Sequence, residues 1–437
     1  MLLNAADKAL WRLALPMIFS NITVPLLGLV DTAVIGHLDS PVYLGGVAVG
    51  ATATSFLFML LFLRMSTTGL TAQAWGAKDP QRLARALVQP LALALGAGVL
   101  IILLRLPLID LALHIVGGSE AVLEQARRFL EIRWLSAPAS LANLVLLGWL
   151  LGVQYARAPV ILLVVGNLLN IVLDLWLVMG LRMNVQGAAL ATVTAEYATL
   201  IIGLLMAKRV LTLRGVSLAM LKNAWRGDLR RLLALNRDIM LRSLLLQLCF
   251  GALTVFGARL GSDIVAVNAV LMTMLTFTAY ALDGFAYAVE AHSGQAYGAR
   301  DGSQLLEVWR AACRQSGMVA LAFALIYSLA GQYIIALLTS LPSLQQLADR
   351  YLIWQTILPV VGVWCYLLDG MFIGATRGAE MRNSMAVAAA GFAVTLLTLP
   401  VLGNHGLWLA LAVFLALRGL SLALIWRRHW RRGTWFS

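Results

Sequence analysis

Apolar runs of about twenty residues or more recur along this chain, separated by short segments that hold most of its charge. A run of that length, wound as an α-helix, crosses the roughly 30 Å hydrocarbon layer of a bilayer. In lipid a segment must satisfy its own backbone hydrogen bonds, which at these lengths means helices. Composition points the same way: 61 % of residues are hydrophobic and 12 % charged, whereas a soluble domain carries about 25 % charged residues. The expected fold class is therefore an all-α integral membrane protein. Twelve spans are predicted, near 12–36, 46–72, 87–110, 129–154, 159–180, 187–207, 236–260, 265–292, 311–333, 352–375, 384–402 and 406–426. The first run is too long for a secretory signal, has no small-residue cleavage site and is followed by further spans.

The formal net charge is +13, which in a soluble chain would suggest nucleic acid. Here the basic residues lie between the spans. With the N-terminus placed inside, the inner segments hold Lys78, Arg82, Arg85, a cluster from Lys208 to Arg237 and the tail arginines. The bias over the outer segments is about three to one, so both termini are expected to be cytoplasmic. Loops meeting anionic headgroups account for the charge without a nucleic-acid partner. The tail "WRRHWRRGTW" (426–435) reads as an interfacial anchor. Cys249, Cys313 and Cys365 are isolated and form no disulfide framework or metal motif.

The chain also repeats itself. "TAQAWGAKD" at 71–79 returns as "SGQAYGARD" at 293–301, and "GWLLG" at 148–152 as "GMFIG" at 370–374, both offset by 222 residues. Two six-helix halves are expected: 1–207, and 236–437 with its basic tail, joined by a basic cytoplasmic linker at 208–235. An even number of spans per repeat makes the halves parallel, related by a pseudo-twofold axis along the membrane normal, an arrangement of alternating-access transporters.

The duplicated GQAYGA-type motif, the "VDTAVIGHL" ending of the first span and the twelve-span length resemble the multidrug and toxic compound extrusion (MATE) family, most closely its DNA-damage-inducible (DinF) branch. The resemblance covers nearly the whole chain. It implies a bacterial inner-membrane antiporter that exports amphipathic, often cationic organic molecules against H+ or Na+ entry, with a coupling site in the N-terminal bundle. The positions similar to that site are Asp31, Asn170, Asp174 and Thr192.

Those residues can also be read by themselves. Asp31 sits in the first apolar run about 10 Å from its outer end, at ~1.5 Å per residue. A charge there costs at least ~2.5 kcal/mol on insertion scales unless it is hydrated or paired, so a protonatable cavity residue is the default reading. In the fifth span Asn167, Asn170 and Asp174 fall at i, i+3 and i+7; in the sixth Thr192, Glu196 and Thr199 share a stripe. Two acids in a poorly hydrated pocket favour a shared proton, while the same oxygens suit a bare Na+. Coupling by H+ is preferred over Na+. Asn143 and Glu196 are further cavity-lining candidates. Pro16 and Pro25 each remove a backbone donor from the first span and allow it to bend.

The second half does not repeat these acids. It offers Asp283 and Glu290 in the eighth span and Asp369 in the tenth, each weighed against a buried pair with an arginine such as Arg64, Arg242 or Arg418. Asp369 resembles an acid of the sodium-coupled NorM-type branch, but the seventh span lacks the Glu which that branch pairs with it. A lipid-linked-precursor flippase of a related two-bundle fold is the alternative reading. An enzyme is not expected, because HExxH, GxSxG and clustered histidines are all missing. The expected partners are small organic substrates and membrane lipids, with the chain acting as a monomer and no cofactor beyond the coupling ion.

Overall fold

A computed structural model describes residues 5–36, 38, 41–59, 63–227 and 229–437; side chains at 23–33, 36, 41 and 59 lie outside the described residues. Among the described residues the chain is helical between short turns, with no strand. The long helices are α1 (Ala5–Gly36), α2 (Pro41–Met59 and Leu63–Gly76), α3 (Pro80–Leu103), α4 (Glu120–Gly152), α5 (Arg157–Gly180), α6 (Asn184–Leu213), α7 (Leu229–Arg259), α8 (Ser262–Gly298), α9 (Gly302–Leu338), α10 (Pro342–Gly374), α11 (Gly378–Leu402) and α12 (Asn404–Arg432). The eleven from α2 onward are long and apolar enough to cross a membrane. The fourth begins at Glu120, earlier than hydropathy suggests. Residues 120–133 are amphipathic: Ala126, Phe129 and Leu130 are buried, while Glu124 and Arg128 pair in the open. An averaged hydropathy hides such a helix.

The repeat is visible in the backbone. After α2, Lys78 has φ 54°, and Asp79 caps α3 by accepting from the N–H groups of Gln81 and Arg82; after α8, Arg300 also has φ 54°, and Asp301 caps α9 through Gln304 N–H. Gln154 and Thr376, again 222 apart, form a second left-handed pair at φ 63° and 55°. The glycines of the other repeated motif explain themselves by contact. A Cβ at Gly148 would lie 2.6 Å from the Arg64 carbonyl oxygen, and one at Gly370 2.8 Å from that of Ala286, which is Arg64 plus 222. Gly152 likewise meets Thr71, and Gly374 meets Ser293. Each half thus packs its fourth helix against its second through backbone contacts that only glycine permits.

Two compact units emerge, Phe19–Asn236, and Met1–Ile18 with Arg237–Ser437. Both boundaries fall inside helices, α1 and α7. In the first unit the core gathers around Trp134 and Trp149, whose Nε1 donates to the Leu83 carbonyl. The short helix Leu218–Asn223, from the stretch read as a linker, packs on α3, with Ala224 fully buried.

In the second unit the core gathers around Trp408 and Phe414. Asn268 and Asn404 exchange paired 2.9 Å hydrogen bonds beside Trp408. The start of α1 is held there because buried Asp7 accepts from Arg314 Nη2 at 3.0 Å, while Gln315 Nε2 donates to its backbone oxygen. The tail differs from the interfacial anchor suggested by its sequence: Trp435 is 2 % exposed, edge-on to Phe372, with the Arg377 guanidinium 4.9 Å from its ring centre. Arg377 also donates to the carbonyls of Thr434 and Trp435, so the last residues turn back onto the protein.

Candidate functional site

The Phe19–Asn236 unit encloses a cavity of about 400 Å³ walled by α2, α4, α5 and α6, with Ile35 of α1 at its edge. Each wall helix brings a polar stripe: Thr54 and Ser55 from α2; Arg133, Ser140 and Asn143 from α4; Asn167 and Asn170 from α5; and Thr192, Glu196 and Thr199 from α6. On α4, α5 and α6 these spacings follow the helical repeat, and leucines such as Leu144, Leu147 and Leu163 complete the wall between the polar groups. Close approach of α5 and α6 is set at Gly166, where a Cβ would come 2.8 Å from Thr199 Oγ1.

Hydrogen bonds tie the stripes together. Asn143 Nδ2 donates both to the Glu196 carboxylate at 2.9 Å and to the Glu196 carbonyl at 3.0 Å. Asn170 Nδ2 donates to Thr192 Oγ1 at 3.3 Å, and that hydroxyl donates to the Ala188 carbonyl. Spending their amide N–H groups this way leaves the carbonyl oxygens Asn143 Oδ1 and Asn170 Oδ1 buried with no hydrogen-bond partner. A buried acceptor without a donor is costly, and it can be satisfied by a hydroxyl, a protonated acid or a cation. Arg133 is placed by a break in α4: Trp134–Ser136 is a tight 3₁₀ turn, the guanidinium bonds Ser136 Oγ, and it lies 5.4 Å from the Phe58 ring centre.

The predicted residues divide as follows. Asn170, Thr192, Asn143 and Glu196 line one cavity. Asp174 is 2 % exposed at the last α-helical turn of α5, just before the chain widens into a π-helical turn at Leu175–Gly180; it is not on the cavity wall. Asp31 belongs to α1, but its side chain lies outside the described residues. In the other unit Asp283 borders a separate cavity of about 120 Å³ with Tyr280 and Tyr366. Glu290 is 1 % exposed, and its carbonyl faces Gly374. Asp369 is gripped by two arginines: Arg242 Nη2 donates to Oδ2 at 2.7 Å, and Arg418 Nη2 to the same oxygen. Arg133, Ser140 and Thr54 escaped the sequence reading. Counting seven and ten residues on from Arg133 reaches Ser140 and Asn143, a stripe within the predicted fourth span that would have shown them.

An all-helical membrane protein with a duplicated half and a polar cavity inside one bundle has the architecture of a membrane transporter. The MatE family model matches residues 16–176 and 239–402, and the chain belongs to the MATE family. It is 87 % identical over 436 residues to DNA damage-inducible protein F of Escherichia coli (strain K12), covering 100 % of this chain and 95 % of that protein. It is 24 % identical over 432 residues to a probable multidrug resistance protein NorM of Acinetobacter baylyi, covering 96 % and 94 % of the two chains. A crystal structure of a MATE transporter in complex with MaL6 has the same fold, with a TM-score of 0.86 at 23 % identity over 98 % of this chain and 96 % of that one. The protein is a multi-pass membrane transporter.

Proposed function

We propose that this transporter is a cation-coupled antiporter, driven by H+ rather than Na+, that exports amphipathic or cationic organic compounds from the cytoplasm by alternating access. The observation that carries the reading is the polar cavity of about 400 Å³ within one bundle, with two buried carboxamide oxygens turned to no donor. Such oxygens accept from a protonated carboxyl or ligate a bare cation, which is what a coupling site must do in turn. Glu196, held by Asn143, supplies negative charge for a cationic substrate.

In this scheme Asp31, with Asp174 nearby, takes a proton from outside, the first helix bends at Pro25, and substrate leaves outward; loss of the proton to the cytoplasm resets the carrier. One H+ crossing ~100 mV supplies about 2.3 kcal/mol, enough for a concentration ratio of roughly fifty. A carrier for lipid-linked pyrophosphates calls for several cavity arginines. Among the described residues Arg133 is the one guanidinium on this wall, which favours the antiporter. The protein is taken to work as a monomer among the lipids of the bacterial inner membrane, without a cofactor and with both termini in the cytoplasm. This orientation rests on the inward excess of Lys and Arg.

The test is substrate efflux from proteoliposomes under imposed pH or Na+ gradients. Asp31→Asn is expected to abolish coupled exchange, while Asp369→Asn retains it per folded molecule. Normal proton-coupled exchange by Asp31→Asn would defeat the scheme, and loss confined to Asp369→Asn would move the coupling role to the second bundle.

A further inference from the structure

A second cavity in the Phe19–Asn236 unit, of about 100 Å³, lies away from the transport site. That is room for about three waters. α3 presents Arg82, Arg85 and Gln89 to it at i, i+3 and i+7, one stripe of the helix. Arg231 and Leu232, from the start of α7, form the opposite wall. Three guanidinium groups thus share a small space, and among the described residues no carboxylate lines it. The nearest described acid along α3, Asp79, is committed to capping, its Oδ1 accepting from the Gln81 and Arg82 N–H groups at 3.1 and 3.3 Å. Asp228 lies outside the described residues.

Two of the donors are buried and unmet. Gln89 is 6 % exposed, and its Nε2 has no hydrogen-bond partner; the same is true of Arg85 Nε. Arg231 is fixed at the cavity by donating to Gln73 Oε1 at 2.9 Å. Gly227, at φ 147°, brings the backbone so near that a Cβ would meet Arg85 Nε at 2.5 Å. Buried donors without acceptors are unfavourable, and the forked N–H groups of arginine match an oxyanion bidentately.

The repeat shows that the fold does not ask for this arrangement. Adding 222 carries Arg82, Arg85 and Gln89 to Gln304, Glu307 and Ala311, and subtracting it carries Arg231 to Ala9. The second half builds the same left-handed turn and Asp cap with none of the four.

We infer that this pocket binds a phosphate group, held by the guanidiniums of Arg82, Arg85 and Arg231 and the amide of Gln89. The group comes either from a soluble phosphate or from a phospholipid headgroup, since the pocket lies at the end of the bundle that carries the inward-biased charge.

The test uses the full chain in phosphatidylcholine nanodiscs, with thermal unfolding followed as inorganic phosphate is titrated and chloride holds ionic strength constant. The expected result is a saturable rise in Tm that chloride does not reproduce, with the apparent Kd weakened at least tenfold in Arg85→Gln and in Gln89→Leu. Gln89→Leu removes an unmet buried donor, so it reports binding even if Arg85→Gln fails to fold. Arg157→Gln, at the start of α5, should respond like the unmodified chain. Discs containing phosphatidic acid separate the sources. A raised Tm that abolishes the phosphate response and vanishes in Gln89→Leu identifies a headgroup; a persisting phosphate response identifies a soluble ion. The inference is overturned if neither ligand shifts Tm, if chloride reproduces the shift, or if Gln89→Leu retains it.

Discussion

Replacing Asp369 by Asn should test the second bundle most sharply. Asp369 Oδ2 receives hydrogen bonds from both Arg242 and Arg418, and the side chains are only 10 %, 5 % and 5 % exposed. Asn keeps the shape but removes the negative charge, leaving two guanidiniums buried beside a neutral amide. Removing one partner of a buried ion pair costs about 3–5 kcal/mol, mostly as the penalty of the stranded charge. With two cations sharing one acid, the upper part of that range is expected.

The magnitude can be read from SDS-induced unfolding of purified protein in mixed micelles. A triple variant, Arg242→Met with Asp369→Leu and Arg418→Met, should recover most of the loss, because an apolar replacement of a whole buried cluster is often neutral or stabilising. The reasoning would be refuted by Asp369→Asn unfolding at the normal denaturant concentration while losing ion-coupled transport. Asp369 would then be a titrating acid rather than the counter-ion of a structural clamp.

Two other expectations concern packing. Gly148→Ala and Gly370→Ala put a Cβ 2.6 and 2.8 Å from backbone carbonyl oxygens, so each should lower stability by about 1–3 kcal/mol and reduce the monodisperse fraction in detergent, whereas Gly96→Ala, with open space around it, should not. Trp435→Ala removes a ring packed on Phe372 and Arg377, with an expected loss of about 3–5 kcal/mol and faster proteolysis of the last residues; an unaltered digestion pattern would mean the tail is not docked.

Some of the architecture could be read before any coordinates. The spans follow from run length, and the motifs holding the glycines at 148, 152, 370 and 374 showed the repeat, whose 222-residue offset the contact partners of those glycines also obey. The amphipathic start of α4 was less legible, because Glu124, Arg127 and Arg128 mask a buried face formed by Ala126, Phe129 and Leu130. In the cavity, periodicity grouped Asn170 with Asp174, yet only Asn170 lines the wall. Helical counting fixes an angle about one axis; it does not say where the next helix stands.

The linear sequence determined that this protein is a membrane-embedded helical duplication, since the length of apolar runs and a self-similarity of 222 residues depend on local order alone. Which polar groups meet was decided only in three dimensions. Asn143 finds Glu196 across 53 positions, and Asp369 finds Arg242 across 127, because lateral packing of helices selects neighbours that no spacing along the chain encodes.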